Sequence, residues 1–389
     1  MGRKINILVC SPYYPPHVGG LENHAEEFAI QATQHGHSVT IWTANIPMQA
    51  SCDEVQHGVR VIRYDAAELL GGFPIPAIWT MSFWRQYKEI KKMHHDLVIS
   101  RTRFFLSSVL ARAFAIRNHL PHIHIEHGSD YVHLHSSVAT ACAYLYDKTF
   151  GVYVLKHSDA VVANSQATKI FVQEFTNGAV VPTVIYRGVD KEHILSQAPN
   201  ILAKDAAQGK VILCYLGRLI DGKGVHHLLD ALQSKQIREN IVCWIIGDGP
   251  QRKALEDLAT KYNFTDRITF FGNKDRNEAI GLLKASDIVI NPSYTEGLPT
   301  SLIEAALCRK AIIATRVGGT SEIIKDGTSG ILTPSHDTDA LRLSLEKLIA
   351  SKELRESYGD AAYIKCSTMF SWDTAIGLYE SLFETVIAK

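Results

Sequence analysis

Glu296 and Glu304 stand with seven residues between them, in the stretch Ser293-Tyr294-Thr295-Glu296-Gly297-Leu298-Pro299-Thr300-Ser301-Leu302-Ile303-Glu304. The apolar run from Asp287 to Ile290 ahead of them reads as a buried parallel strand. The run from Ser301 to Cys308 reads as a helix. Pro299 suits its start, where the N–H that proline lacks would be unpaired anyway. Glu296 then falls on a strand-to-helix loop, and Glu304 about a turn into the helix. A strand's carboxyl end, a glycine and a helix N-terminus together make an anion site. Carboxylates beside such a site suit sugar hydroxyls, whose hydrogen bonds they accept while the helix amides take phosphate. A plainer reading stays open: Ser301 and Glu304 have the spacing of a capping box, and Glu296 is a solvated surface acid.

Three further groups have types and positions that could serve a ligand. Arg218 and Lys223 lie five positions apart on the strand-to-helix loop Gly217-Arg218-Leu219-Ile220-Asp221-Gly222-Lys223-Gly224. Two fixed cations there suit a diphosphate that gains charge as it leaves; the alternative is two surface cations. His127 precedes Gly128 at the carboxyl end of a strand, the place where α/β proteins bind ligands. Gly19 and Gly20 end the loop Ser11-Pro12-Tyr13-Tyr14-Pro15-Pro16-His17-Val18-Gly19-Gly20, and glycines at such a turn let a backbone approach a ligand closely. A Gly-x-Gly-x-x-Gly fingerprint of nicotinamide-binding proteins is missing.

The pattern Glu296-Gly297-x-Pro299-x-x-x-x-Glu304 resembles the Glu-x7-Glu signature of retaining glycosyltransferases of family 4. The likeness continues through Ala311-Ile312-Ile313-Ala314-Thr315 and Val317-Gly318-Gly319-Thr320-Ser321-Glu322, and back through the Gly-Arg-Leu…Lys-Gly frame of the Arg218 loop. It covers essentially the whole chain and is strongest over 211–325. The resemblance implies the GT-B fold: two Rossmann-like, doubly wound α/β domains facing across a cleft, with the last helix, opened by Phe370-Ser371-Trp372, returning to the first domain. Residues 1–190 with 370–389 would bind the acceptor, and 200–369 the nucleotide-sugar donor.

The function implied is retaining transfer of a hexose or N-acetylhexosamine from a nucleotide diphosphate sugar to an acceptor hydroxyl. UDP-sugars come ahead of GDP-mannose, and the setting would be polysaccharide, lipopolysaccharide or glycolipid assembly. By resemblance, Arg218 and Lys223 clamp the diphosphate, aided by helix amides near Leu298 to Ser301, and Gly297, Leu298, Pro299, Thr300 and Ser301 belong to the donor site. Glu304 takes ribose hydroxyls and Glu296 hexose hydroxyls. His127 contacts the donor sugar, Gly19 and Gly20 face its phosphates, and Gly247 and Asp248 turn near the base. A GT-B nucleotide-sugar epimerase, or a non-catalytic sugar-nucleotide-binding protein, remain as alternatives. Arg187 stands before Gly188 where the family usually has asparagine, at what resembles the passage between domains.

Strands expected to position these groups are Ile5–Cys10, Ser38–Thr43, Val59–Arg63, Asp96–Ser100, Pro121–Glu126, Ala160–Ala163, Val211–Leu216, Val242–Ile246 and Ile268–Gly272, with helices between them. About fifteen residues after Arg63 read as loop, and the polar run from Asn200 to Lys210 as a domain linker. A helix is expected over Ile78–Lys92, with Trp79, Phe83, Tyr87 and Ile90 recurring at three- and four-residue steps. Arg85, Lys88, Lys91 and Lys92 add positive charge, and Arg101 and Arg103 follow shortly. Such a helix either lies on an anionic membrane or turns its aromatics to the core.

Bulk composition narrows the classes. The 389 residues carry 40 basic and 40 acidic side chains, so no global charge points to nucleic acid. Seven scattered cysteines without a Cys-x-x-Cys suggest free thiols in a reducing compartment. No run approaches the length of a membrane span, so a cytoplasmic protein, peripheral to the inner face of the plasma membrane, is expected. His122, His124 and His127 lack a completing cysteine or carboxylate set for zinc. Asp337-Thr338-Asp339 opens a helix after Pro334-Ser335 and reads as capping. No cofactor or metal is expected beyond the nucleotide sugar itself.

Overall fold

Alternating apolar strands and amphipathic helices build two parallel sheets, one in each of two compact units. In the computed structural model of the chain, residues 3–17, 19–46, 48, 51–69, 73–131 and 136–388 are described. Val18, in the loop before Gly19, lies outside them. One unit comprises Met1–Gly188 with Trp372–Lys389, the other Val189–Ser371.

The first unit contains β1 (Asn6–Ser11), β2 (Ser38–Ala44), β3 (Asp53–Gln56), β4 (Val59–Tyr64), β5 (Ala66–Leu69), β6 (Phe73–Pro76), β7 (Leu97–Arg101), β8 (His122–Glu126), β9 (Ala160–Ala163) and β10 (Thr183–Val184). Its main sheet runs β10-β9-β8-β7-β1-β2-β4-β3. Pairing is parallel except for β3 on β4. Val9 on the central β1 faces Ile41 of β2 and Ile99 of β7. The second unit contains β11 (Val211–Leu216), β12 (Ile241–Ile246), β13 (Ile268–Gly272), β14 (Ile288–Asn291), β15 (Ala311–Thr315) and β16 (Ile331–Thr333). Its order is β13-β12-β11-β14-β15-β16, all parallel.

Both orders reverse direction once. The first unit reverses between β1 and β7, the second between β11 and β14. Crevices outside the carboxyl ends at such reversals are where open α/β sheets bind ligands. The loops that matter follow β1 and β7 in one unit, and β11 and β14 in the other.

The central strands of each sheet are buried on both faces, as parallel strands covered by helices require. In the first unit one core layer joins Ile7, Val9, Phe28 and Ile99 to Ile376, Tyr379 and Phe383 of the C-terminal helix Trp372–Ile387. That helix thus completes the first unit's core. Gly188 lies so close to Trp372 that a Cβ there would collide with the indole ring. On the opposite face Trp42, Tyr64 and Phe114 pack with Phe83 and Ile90 from the helix Met81–Lys92.

Three expectations need correction. The stretch after Arg63 is not plain loop: β5 and β6 pair antiparallel. Residues 200–210 are not the linker. Asn200 caps a helix, Ile201–Ala206, inside the second unit, and its amide donates to Gly281 O at 2.9 Å. The polar composition reflects a solvated helix, and the chain leaves the first unit at Gly188. The helix expected from Ile78 starts at Met81, because Thr80 caps it by accepting from Phe83 N. Trp79 therefore lies outside the helix and is 68% exposed, while Phe83 and Ile90 turn inward. Arg101 and Arg103 are buried and add nothing to the surface charge beside this helix.

Candidate active site

In the second unit the loops after β11 and β14 meet through side chains and backbone. Lys223 Nζ donates to Glu296 Oε1 at 2.6 Å. The same oxygen accepts from Ser293 Oγ at 2.7 Å and Asn291 Nδ2 at 3.2 Å. Three donors hold the nearly buried Glu296 in one orientation. The solvated surface acid is thereby excluded. Beneath this pair, Tyr294 N donates to Gly222 O at 2.9 Å. Gly224 makes the approach feasible. Its φ is +60°, and a Cβ would collide with the Pro292 carbonyl.

The loop after β12 closes on the same place. Gly247, at φ +128°, has room only because it lacks a Cβ, which would strike Gly217 O. Leu219 N donates to Asp248 O at 2.9 Å. Asp248 accepts from Arg252 Nη1 at 2.7 Å and from Gly249 N at 2.7 Å. Those bonds, that from Arg252 first, lower the pKa of its carboxyl.

Arg218 is exposed on the β11 loop, and among the described residues its guanidinium has no ion pair. It is an uncompensated cation at the reversal point, whereas Lys223 is already shared with Glu296. The helix after the Glu296 loop is Thr300–Leu307, with Pro299 at its N-cap and no side-chain cap. Ser301 is inside that helix, so the capping box with Glu304 does not form. Glu304 instead lies 3.7 Å from Arg276 Nη2. Gly297 O accepts from Gly319 N at 2.9 Å, which packs the Gly-Gly turn against the loop. Leu298 and Pro299 are buried, while Gly297, Thr300 and Ser301 are half-buried.

In the first unit, His127 follows β8 and is half-buried. Its amide and that of Gly128 donate to Glu126 Oε1 at 3.0 and 2.8 Å. Burial raises the Glu126 pKa, but the Arg103 guanidinium, with Nη1 at 3.2 Å, the His124 ring and the Gly128 amide outweigh it and keep the carboxylate ionised. Behind His127 lies Arg101, the last residue of β7. Arg101 Nη2 donates to His127 Nε2 at 3.1 Å and to His24 Nδ1. Burial pushes the Arg101 guanidinium down to about 10, so it stays charged at neutral pH. Burial, then the Arg101 charge, hold both imidazoles well below their ordinary value. Gly19 is the N-cap of the helix Gly20–Gln34, and the Glu22 carboxylate folds back over it toward His17 Nδ1, 2.5 Å away.

Sequence reasoning missed Arg101 and His24. The one signal was a charged residue closing an apolar strand beside the sheet reversal. His122 and His124 do share a strand face, and both ring nitrogens reach Ser100 Oγ at 2.8 Å. Asp337 caps the helix Thr338–Ala350 through Ala340 N at 2.8 Å.

Two Rossmann-like parallel sheets, with cations and carboxylates gathered at the reversal point of the second, define an α/β protein with a polar, charged ligand crevice. Residues 199–365 match the family described as Glycosyl transferases group 1, and residues 18–193 match Glycosyltransferase Family 4. An uncharacterized glycosyltransferase of Methanocaldococcus jannaschii is 36% identical over 99% of this chain and 100% of its own length. Glycogen synthase of Mycobacterium tuberculosis is 26% identical over 95% of this chain and 92% of its own. Among solved structures, sucrose-phosphate synthase of Thermosynechococcus elongatus superposes with a TM-score of 0.81 at 22% identity, covering 98% and 100% of the two chains. Anabaena HepE in complex with UDP-glucose superposes at 0.74 with 20% identity, covering 99% and 100%. The chain belongs to glycosyltransferase family 4 and has the GT-B fold.

Proposed function

We propose that the protein transfers a hexose or N-acetylhexosamine, with retention, from a nucleotide diphosphate sugar to an acceptor hydroxyl. UDP-sugars come ahead of GDP-mannose as donor, a preference supported by the UDP-glucose complex of HepE. The observation that carries the reading is Lys223 and Glu296 at 2.6 Å on the two loops of the second sheet's reversal, with Arg218 on the first of them.

The donor's anomeric C–O bond breaks and its electron pair leaves with the diphosphate. Arg218 and Lys223 stabilise that charge. An ammonium has three N–H donors, so Lys223 can keep Glu296 and still reach phosphate oxygens. The amides at the start of the helix Thr300–Leu307 add to the same field. Glu296, fixed by its three donors, takes hexose hydroxyls, and Glu304 takes those of the ribose. The new bond joins the acceptor oxygen to the anomeric carbon, and the acceptor's proton passes to the departing phosphate. Fixed cations do the neutralising, without a metal or other cofactor.

The acceptor is a glycan or lipid-linked glycan, met on the inner face of the plasma membrane by a cytoplasmic protein. Trp79, Met81 and Trp84 are exposed beside Arg85, Lys88, Lys91 and Lys92. That mixture of aromatics and cations suits an anionic lipid surface. Among the described residues, no helix is long and apolar enough to cross a membrane. Incubation with a panel of UDP- and GDP-sugars, with slow donor hydrolysis as the readout, tests the reading. No turnover or binding of any nucleotide sugar would refute it.

A further inference from the structure

We propose that Arg101 is a positioning residue that fixes His127 as its Nδ1–H tautomer, so that His127 serves the sugar site as a hydrogen-bond donor and neither as general base nor as general acid. The inference rests on the reading of His127 as a sugar contact, and the closing experiment separates the two.

A guanidinium donates and cannot accept. Arg101 Nη2 lies 3.1 Å from His127 Nε2 and also meets His24 Nδ1. Its two N–H bonds therefore point at two ring nitrogens that must both present lone pairs. His24 is then the Nε2–H tautomer and His127 the Nδ1–H tautomer. The partner of one ring nitrogen sets what the other does. Among the described residues, no hydrogen bond is made by His127 Nδ1, so that N–H is left to a ligand.

The surroundings keep this state in place. Arg101 is fully buried at the end of β7, and its Nε and Nη1 have no hydrogen-bond partner among the described residues. The groups around His127 are Arg101 from β7, His24 from the helix Gly20–Gln34, Glu126 and His124 from β8, and Arg187 ahead of Gly188. Glu126 favours the imidazolium, but burial and the two guanidiniums oppose it. The His24 ring is in turn held against Trp372 at 5.5 Å and His127 at 5.1 Å, which restricts where Arg101 can aim. A neutral ring whose Nε2 lone pair is occupied by a guanidinium cannot remove an acceptor's proton. It can donate from Nδ1 to a hydroxyl oxygen of the donor sugar. This agrees with a reaction in which the departing phosphate takes the proton.

The test is 15N NMR of histidine-labelled protein, with His127 assigned through His127→Ala, from pH 5.5 to 8. Wild type is expected to show the Nδ1–H form throughout. In Arg101→Met the His127 ring should move to the Nε2–H form or begin to titrate, and turnover should acquire a new acid limb. Arg101→Lys, which still donates, should keep the wild-type tautomer. For turnover with the best donor of the panel, His127→Ala should lose about 100-fold. His127→Asn, whose amide N–H stands near the place of Nδ1, should recover at least tenfold of that loss. A wild-type ring in the Nε2–H or charged form at pH 7 overturns the proposal, and that spectrum needs no variant to fold. An Arg101→Met protein with the wild-type tautomer and pH profile also overturns it. Unchanged turnover in His127→Ala, with the tautomer as stated, overturns the sugar contact and leaves the Arg101 inference standing.

Discussion

Arg218 and Lys223 share one loop but not one state. Arg218 is exposed and unpaired among the described residues, while Lys223 is tied to Glu296. Arg218→Ala should therefore lower turnover roughly 100-fold, the scale of one preorganised donor to a developing anion, with melting temperature unchanged. Lys223→Ala should lose as much activity and also some stability. It leaves the nearly buried Glu296 with Asn291 and Ser293 as its remaining named donors. Thermal melts beside steady-state rates distinguish the two, and near-normal rates in both variants would remove the clamp. Because the cations are built in, dialysis against EDTA should leave turnover intact. Activity that vanishes and returns with magnesium or manganese would reopen the role of Asp337 and Asp339. The residue types on the loops after β11 and β14 were legible from their order in the chain. Arg101 and His24 were not, since 77 residues separate them and only the neighbouring positions of β7 and the first helix bring them together.

Elements decide which face a residue shows. The cap at Thr80 divides the aromatic stripe of 79–92: Phe83 and Ile90 enter the core, Tyr87 is half-buried, and Trp79 and Trp84 stay outside. On the proposed anionic surface, Arg85, Lys88, Lys91 and Lys92 would each contribute about 1 kcal/mol, enough for reversible attachment. Changing these four to Gln should abolish co-sedimentation with anionic vesicles while leaving the fold unchanged. If wild type does not sediment even at low salt, the membrane reading fails and a soluble acceptor is favoured. A second element-scale outcome concerns the C-terminal helix. Gly188→Ala would push a methyl into Trp372, at an overpacking cost of about 1–3 kcal/mol. A lower melting temperature and faster hydrogen exchange in Trp372–Ile387 are expected, and exchange at the wild-type rate would show that the close approach is not what holds this helix.

At the scale of the whole molecule, buried histidines are unequally shared. His24, His95 and His122, with the half-buried His127, belong to the first unit, and burial holds each below its ordinary value, His95 at about 4, whereas in the second unit His227 is shifted the same way. The unfolded chain takes up these protons near pH 6.5, while the folded unit does not. Their stabilisation is thus fully present above that pH and is lost as pH falls, by about 1.4 kcal/mol per pH unit for each group. Hydrogen exchange at pH 7.5 and 5.5 should show the first unit losing protection more steeply than the second; equal losses would refute the assignment. By itself the sequence determined the strand-helix alternation, the α/β class, and the loops that carry Arg218, Lys223, Glu296 and His127. Those features depend on local period and on residues close in the chain. The tertiary structure alone decided that Asn200–Lys210 lies inside the second unit, that Lys223 bonds to Glu296, and that Arg101 is buried behind His127. Strand order sets these outcomes, because it joins distant segments and buries some charges while leaving others in water, which no local pattern encodes.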